Sequence, residues 1–215
     1  MSMLPDPTLL SLLTLVGWSW SGATYWLMFS HQGRAIMSKA WTIIPAAILL
    51  FLGLWHVTSE MGKLSTMAGG MTPLDGQFAY GVATVTAFAE RLGPDGRIAY
   101  AVFQLGADAL APPAFVCFLM SVYRSTVRSM RIQFMLTALA FTYFTSVLIA
   151  NTFMPVIMQN YPDTESGLLP LLYSVIPMLD LVKYVTHGIA WLIIFSAWAW
   201  QLADYSRRGR TATAH

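Results

Sequence analysis

Five ionisable side chains fall inside runs that are otherwise apolar enough to lie in a bilayer: His56, Asp108, Asp180, Lys183 and His187. Asn151 adds a neutral polar group in a further such run. A charge at hydrocarbon depth costs ~2.5–3.5 kcal/mol on insertion scales, so each of these groups must be paired, hydrated or used. Asp180 and Lys183 are spaced i, i+3, on one helix face, where they can pair with each other or with Asp108. At ~1.5 Å of rise per residue, counting inward from the ends of the runs puts His56, Asp108, Asn151 and Asp180 in the outer half of the bilayer. There they could converge, with Lys183, into one polar cluster, and His187 lies deeper as a secondary member. Two chemistries fit that cluster. One is a buried salt bridge that fixes helix register. The other is a pocket for a lipid head group, a proton or a small polar substrate, with His56 as proton acceptor.

Prolines stand beside both acids. Pro112 and Pro113 have no N–H to offer the carbonyls of Asp108 and Ala109, and Pro177 has none for Tyr173, so kinks are expected next to Asp108 and Asp180. Carbonyls freed at membrane depth are tolerated against protein or water, which is where a polytopic protein binds polar groups.

Other chemistries lack their residues. The single cysteine, Cys117, sits in an apolar run and excludes a disulfide framework or a multi-thiolate metal site. No HExxH-type spacing supports a metal, and none is expected. His56 and His187 differ by roughly 10 Å in depth on helical rise, too far for one bis-histidine haem. There is no GxSxG elbow and no phosphate-binding glycine loop, so neither a catalytic nucleophile nor a cofactor is assigned. No stretch is basic and polar enough for nucleic acid. The eight Trp and thirteen Met read as packing and interface residues.

The elements that must position the cluster are membrane helices. Of 215 residues, 56% are hydrophobic and 10% charged, against ~25% charged in soluble domains. The expected fold is all-α: a single integral membrane domain over residues 1–215, with five spans near 8–30, 41–60, 97–123, 132–158 and 168–202. The N-terminus has no basic residue before the first span, so no cleaved signal is expected. Between the second and third spans, Phe78, Val82, Val85, Phe88 and Leu92 recur at helical spacing. They predict an amphipathic helix over 75–92, N-capped by Asp75 and stopped by Gly93-Pro94. It is too mixed to span and is expected in the interface, with Phe78, Tyr80 and Phe88 as its contacts. Arg34, Lys39, Arg124, Arg128, Arg131, Arg207, Arg208 and Arg210 collect on one side, and Lys63, Arg91 and Arg97 on the other. The positive-inside rule then puts the N-terminus outside and the C-terminus in the cytoplasm.

The central segment resembles a family of small bacterial membrane proteins of about four helices. The matching residues are Leu74, Asp75, Tyr80, Leu92, Gly93, Gly96, Arg97, Tyr100, Asp108 and Pro112, with Asp180 where that family carries an acid in its last helix. The resemblance spans about the last two-thirds of the chain and leaves the first span as an addition. Where the family follows its last acid with Glu-Asn, this chain has Lys183 and Tyr184. The resemblance implies the helical fold and a bacterial inner membrane, and no activity. Short loops and an aromatic first span favour a non-catalytic accessory subunit, partnered by lipid and by a protein of a larger membrane complex. A small transporter or lipid-active enzyme built on the polar cluster is the alternative.

Overall fold

The structure is a computed structural model that describes residues 7–212, with side chains from 15 to 205. Among the described residues it is helical throughout, with no strand. The helices are α1 (Pro7–Phe29), α2 (His31–Met37), α3 (Ile43–Met67), α4 (Val82–Leu105), α5 (Ala107–Thr126), α6 (Met130–Asn160) and α7 (Leu169–Ala212). Four stretches are long and apolar enough to cross a bilayer: Ala40–Met67, Val82–Thr126, Met130–Asn160 and Leu169–Tyr205. That is compatible with an integral membrane protein. The first span expected from the sequence is a helix, α1, but the side chains of its residues 7–14 lie outside the described residues.

The stretch containing α4 and α5 is the centre of the molecule. Of its most apolar window 72% is buried, against 17% for the α3 stretch and 28% each for α6 and α7. Small residues make this possible, because they let backbones approach where lipid provides no hydrophobic drive between helices. On α1, Gly17, Ser21 and Thr24 are buried at helical spacing, and a Cβ on Gly17 would lie 3.2 Å from the Ala109 Cβ. On α3, a Cβ on Gly53 would lie 3.3 Å from the Ala111 Cα. Helices α1 and α3 thus grip the first turns of α5 from two directions. Helix α6 packs along α7 and also covers α4 and α5.

Three expectations change. The helix foreseen from Asp75 starts at Val82. Residues 74–76 form one 3-10 turn and Gln77 to Gly81 are irregular, because Gly76 and Gly81 interrupt the periodic stripe. Phe78 and Tyr80 are therefore not on a helix. Over 82–92, Val85, Phe88, Ala89 and Leu92 are buried in a core shared with Leu64, Met154, Ile157 and Tyr173. Phe88 packs edge-on against Tyr100, 5.2 Å between centroids, so it is a core residue and not an outward contact.

The stop at Gly93-Pro94 is a kink. Gly93 takes φ +66°, a left-handed value that glycine reaches without a Cβ clash, and the helix resumes at once. The third span, expected as one helix over 97–123, is instead broken at Gly106 (φ −107°, ψ −91°) into α4 and α5. The prolines do not break α5 where they stand. Pro112 and Pro113 lie in its second turn, where they offer no donor to the Asp108 and Ala109 carbonyls, and the helix continues through them. Asp108 is consequently in the first turn of a helix, at a break, rather than midway along a span. The helices of the expected second and fifth spans, α3 and α7, also run beyond their expected ends, to Met67 and Ala212.

Candidate functional site

The α3–α4 connection folds inward. Leu74 is fully buried, and the side chain of Asp75 is only 8% exposed. One carboxylate oxygen of Asp75, Oδ2, accepts from the Tyr100 hydroxyl at 2.5 Å and from Gln104 Nε2 at 2.6 Å. Tyr100 and Gln104 are i, i+4 on α4, so one helix face grips the acid. The other oxygen, Oδ1, is 4.0 Å from Lys183 Nζ. The Tyr184 hydroxyl donates to the backbone carbonyl of Asp75.

Helix α7 supplies the ion pair that the spacing anticipates, Lys183 Nζ to Asp180 Oδ1 at 2.9 Å. The Tyr80 hydroxyl donates to the second oxygen of Asp180. Burial and the Asp180 charge push the Tyr80 phenol well above its ordinary pKa, so it remains a donor at all physiological pH. Phe78, largely exposed, leans on the Tyr184 ring, 5.8 Å between centroids. The inward loop is thus tied to α4 and α7 by charged hydrogen bonds, which are about twice as strong as neutral ones.

Asp108, 8% exposed, belongs to the same site without sharing these bonds. Asn151 turns its amide toward the Asp108 carboxylate. Asp108 Oδ2, Asn151 Oδ1 and Gln104 Oε1 are all buried and have no hydrogen-bond partner. Three carboxylates, Asp75, Asp108 and Asp180, therefore gather around one ammonium, Lys183. If all are ionised the site carries a formal excess of two negative charges, and a dry site cannot leave that excess uncompensated.

A cavity of about 440 Å³ opens onto these groups. Its polar lining is Asp75, Asp108, Lys183, Tyr184 and His187. Its walls are apolar and aromatic: Leu54, Val57 and Met61 from α3, Phe115 from α5, Tyr143 from α6 and Trp191 from α7. His187 stacks on Phe115 at 4.4 Å and 14°. The site can hold an amphipathic molecule, with its polar end at the acids and its apolar body against α3 and α7.

Of the residues singled out from sequence, Asp108, Asn151, Asp180 and Lys183 come together, and His187 lines their cavity. His56 does not join them. It is exposed on α3 and faces a separate groove with Glu60 and Asp95, because the α3 face that meets the cluster carries Val57 and Met61. Tyr80 belongs to the cluster, and not to an outer contact surface. Asp75, Tyr100, Gln104 and Tyr184 were not foreseen as members. The available signal was Gln104, an amide inside the apolar run Ala99–Leu105, four residues after Tyr100. Comparison of the chain with protein-family models, with curated proteins and with solved structures finds no match.

Proposed function

We propose that the chain is a small transporter of the bacterial inner membrane, with five spans, N-terminus outside, that takes lipophilic cations into the cleft between α3 and α7. The observation that carries this reading is the cleft itself: an aromatic, apolar cavity whose polar end is lined by two carboxylates, Asp75 and Asp108, and one ammonium, Lys183, with Asp180 paired to that ammonium. Acid in excess of the one ammonium favours positive charge where it is ionised, and an aromatic lining of Phe115, Tyr143, Tyr184 and Trp191 suits a cation close to an apolar body. The break at Gly106 and the inward loop around Asp75 match the way membrane carriers build polar sites from interrupted helices. Positive-inside counting supports the orientation.

The test is binding of tetraphenylphosphonium to the purified chain in mild detergent. Saturable binding near one per chain is expected. Asp108→Asn is expected to weaken it about tenfold, the equivalent of ~1.4 kcal/mol, while melting like the wild type. Absence of saturable binding, or equal affinity in Asp108→Asn, sinks the reading.

A second reading, an accessory subunit packed on a partner in a larger assembly, draws on α3. Its face presents Ile44, Phe51 and Trp55, with Trp41 in the turn just before it, each 65% exposed or more. Isolation of the natively expressed chain in a stoichiometric complex supports that reading, and a one-protein particle removes it.

A further inference from the structure

A second cavity, of about 20 Å³, lies where α1, α4 and α6 meet and is lined by Gly17, Gln104, Leu105, Asn151 and Thr152 among others. It has room for a single water-sized occupant. Its walls are mostly apolar, and the polar side chains of Gln104, Asn151 and Thr152 offer it acceptors. Gln104, 1% exposed, gives its amide nitrogen to Asp75 and leaves Oε1 buried without a partner. Asn151, 4% exposed, turns its amide to Asp108 and leaves Oδ1 in the same condition. Thr152 commits its hydroxyl hydrogen to the Leu148 carbonyl at 2.7 Å, so its oxygen can only accept.

Leu105 ends α4 at the Gly106 break, where the last carbonyls of a helix have no intrahelical donor and carry the negative end of its dipole. The Leu105 carbonyl oxygen is 3.7 Å from where a Gly17 Cβ would stand. Trp18 also lines the cavity, yet its indole donates to neither orphaned amide oxygen.

A water can donate to at most two of these oxygens, whereas a cation can be shared among all of them and, where the neighbouring acids are ionised, offsets their charge. Amide, hydroxyl and carbonyl oxygens are hard ligands that suit an alkali ion rather than a transition metal. We propose that this cavity binds one alkali cation, held by Gln104 Oε1, Asn151 Oδ1, Thr152 Oγ1 and the Leu105 carbonyl, with Asp108 as the nearby compensating charge. The two amides then tie the ion to the cluster, since Gln104 also holds Asp75 and Asn151 also faces Asp108. The site does not depend on what the larger cleft binds.

The experiment is thermal unfolding of the purified full chain in detergent, with NaCl or KCl replacing choline chloride at constant ionic strength. A parallel equilibrium-binding assay with radioactive Na+ is run on the same preparation. The expected result is a saturating rise in Tm with Na+ or K+ and close to one ion bound per chain. Asn151→Leu and Gln104→Leu are expected to weaken the ion at least about tenfold. Where those variants fail to fold, Gly17→Ala, which places a methyl at the cavity wall, is expected to weaken it too. The wild-type titration decides without any variant. A Tm that is the same in sodium, potassium and choline, with no saturable sodium binding, overturns the site.

Discussion

The two ends of this bundle share α6 and α7, yet they treat polar groups in opposite ways. At one end, Met28, Val116, Met120, Tyr123, Leu136, Phe144 and Ile194 form an apolar core. Its hydroxyls are satisfied nearby. Ser121 donates to the Cys117 carbonyl at 2.8 Å, Thr126 to the Val122 carbonyl at 2.6 Å, and Tyr123 shares a 2.8 Å bond with Thr137. Trp198 reaches across from α7 to Thr126 at 2.8 Å. At the other end, Asp75 is held by residues 25, 29 and 108 positions away in sequence, and its partners are charged or bonded to charge. A local hydroxyl bond costs a membrane helix little. A long-range ionic cluster is stable only when all its helices are in place, so it reports on the whole fold and can respond to what binds there.

The sharpest way to break this contrast is Lys183→Met, which keeps length and apolar bulk while stranding three acids. Removing one partner of a buried ionic network costs about 3–5 kcal/mol, so large losses of abundance and of unfolding free energy in detergent are expected. A cost below about 1 kcal/mol, the range of exposed pairs, would mean that the acids do not depend on Lys183. A matched pair of deletions comes next. Tyr100→Phe takes a donor from a carboxylate and is expected to cost about 1.5–3 kcal/mol, whereas Thr126→Val removes a neutral partner from Trp198 and should cost about 0.5–1.5 kcal/mol. The same unfolding assay ranks them, and equal costs would erase the distinction between the two ends.

Much of this architecture is legible in the sequence because bilayer length and helical period leave little choice. The i, i+3 spacing allowed the Asp180–Lys183 pair, and depth allowed, without requiring, the approach of Asp108 and Asn151. What escaped follows from long-range folding. Asp75 read as a helix cap because Phe78 and Val82 continue the stripe of α4, and the periodicity carries no trace of Gly76 and Gly81 diverting the chain inward. His56 misled for the converse reason. Depth put it level with the cluster, but rotation about α3, one residue before Val57, turns it away. The break at Gly106 was masked by Pro112 and Pro113, which looked like the stronger disruptors and are instead accommodated within α5.

The smallest predicted effect separates the buried acids from an exposed one at the same end of the bundle. In the α6–α7 turn, Asp163 Oδ1 accepts from the backbone N–H groups of Glu165 at 2.9 Å and Ser166 at 3.0 Å. The Ser166 side chain, followed by these amides, holds the Asp163 carboxyl below its ordinary pKa. A depressed folded-state pKa contributes stability that is complete above the unfolded value, about 3.9, and is lost as pH falls through the folded value. Amide exchange at Glu165 and Ser166 should therefore rise as pH falls below about 4, once corrected for intrinsic exchange, and Asp163→Asn should show no such pH dependence. Global unfolding should register the change only slightly, because the carboxylate is solvated throughout. If Asp163→Asn instead shifts the acid limb of global unfolding strongly, the turn is coupled to the core. The exposed turn and the buried cluster would then form one cooperative unit.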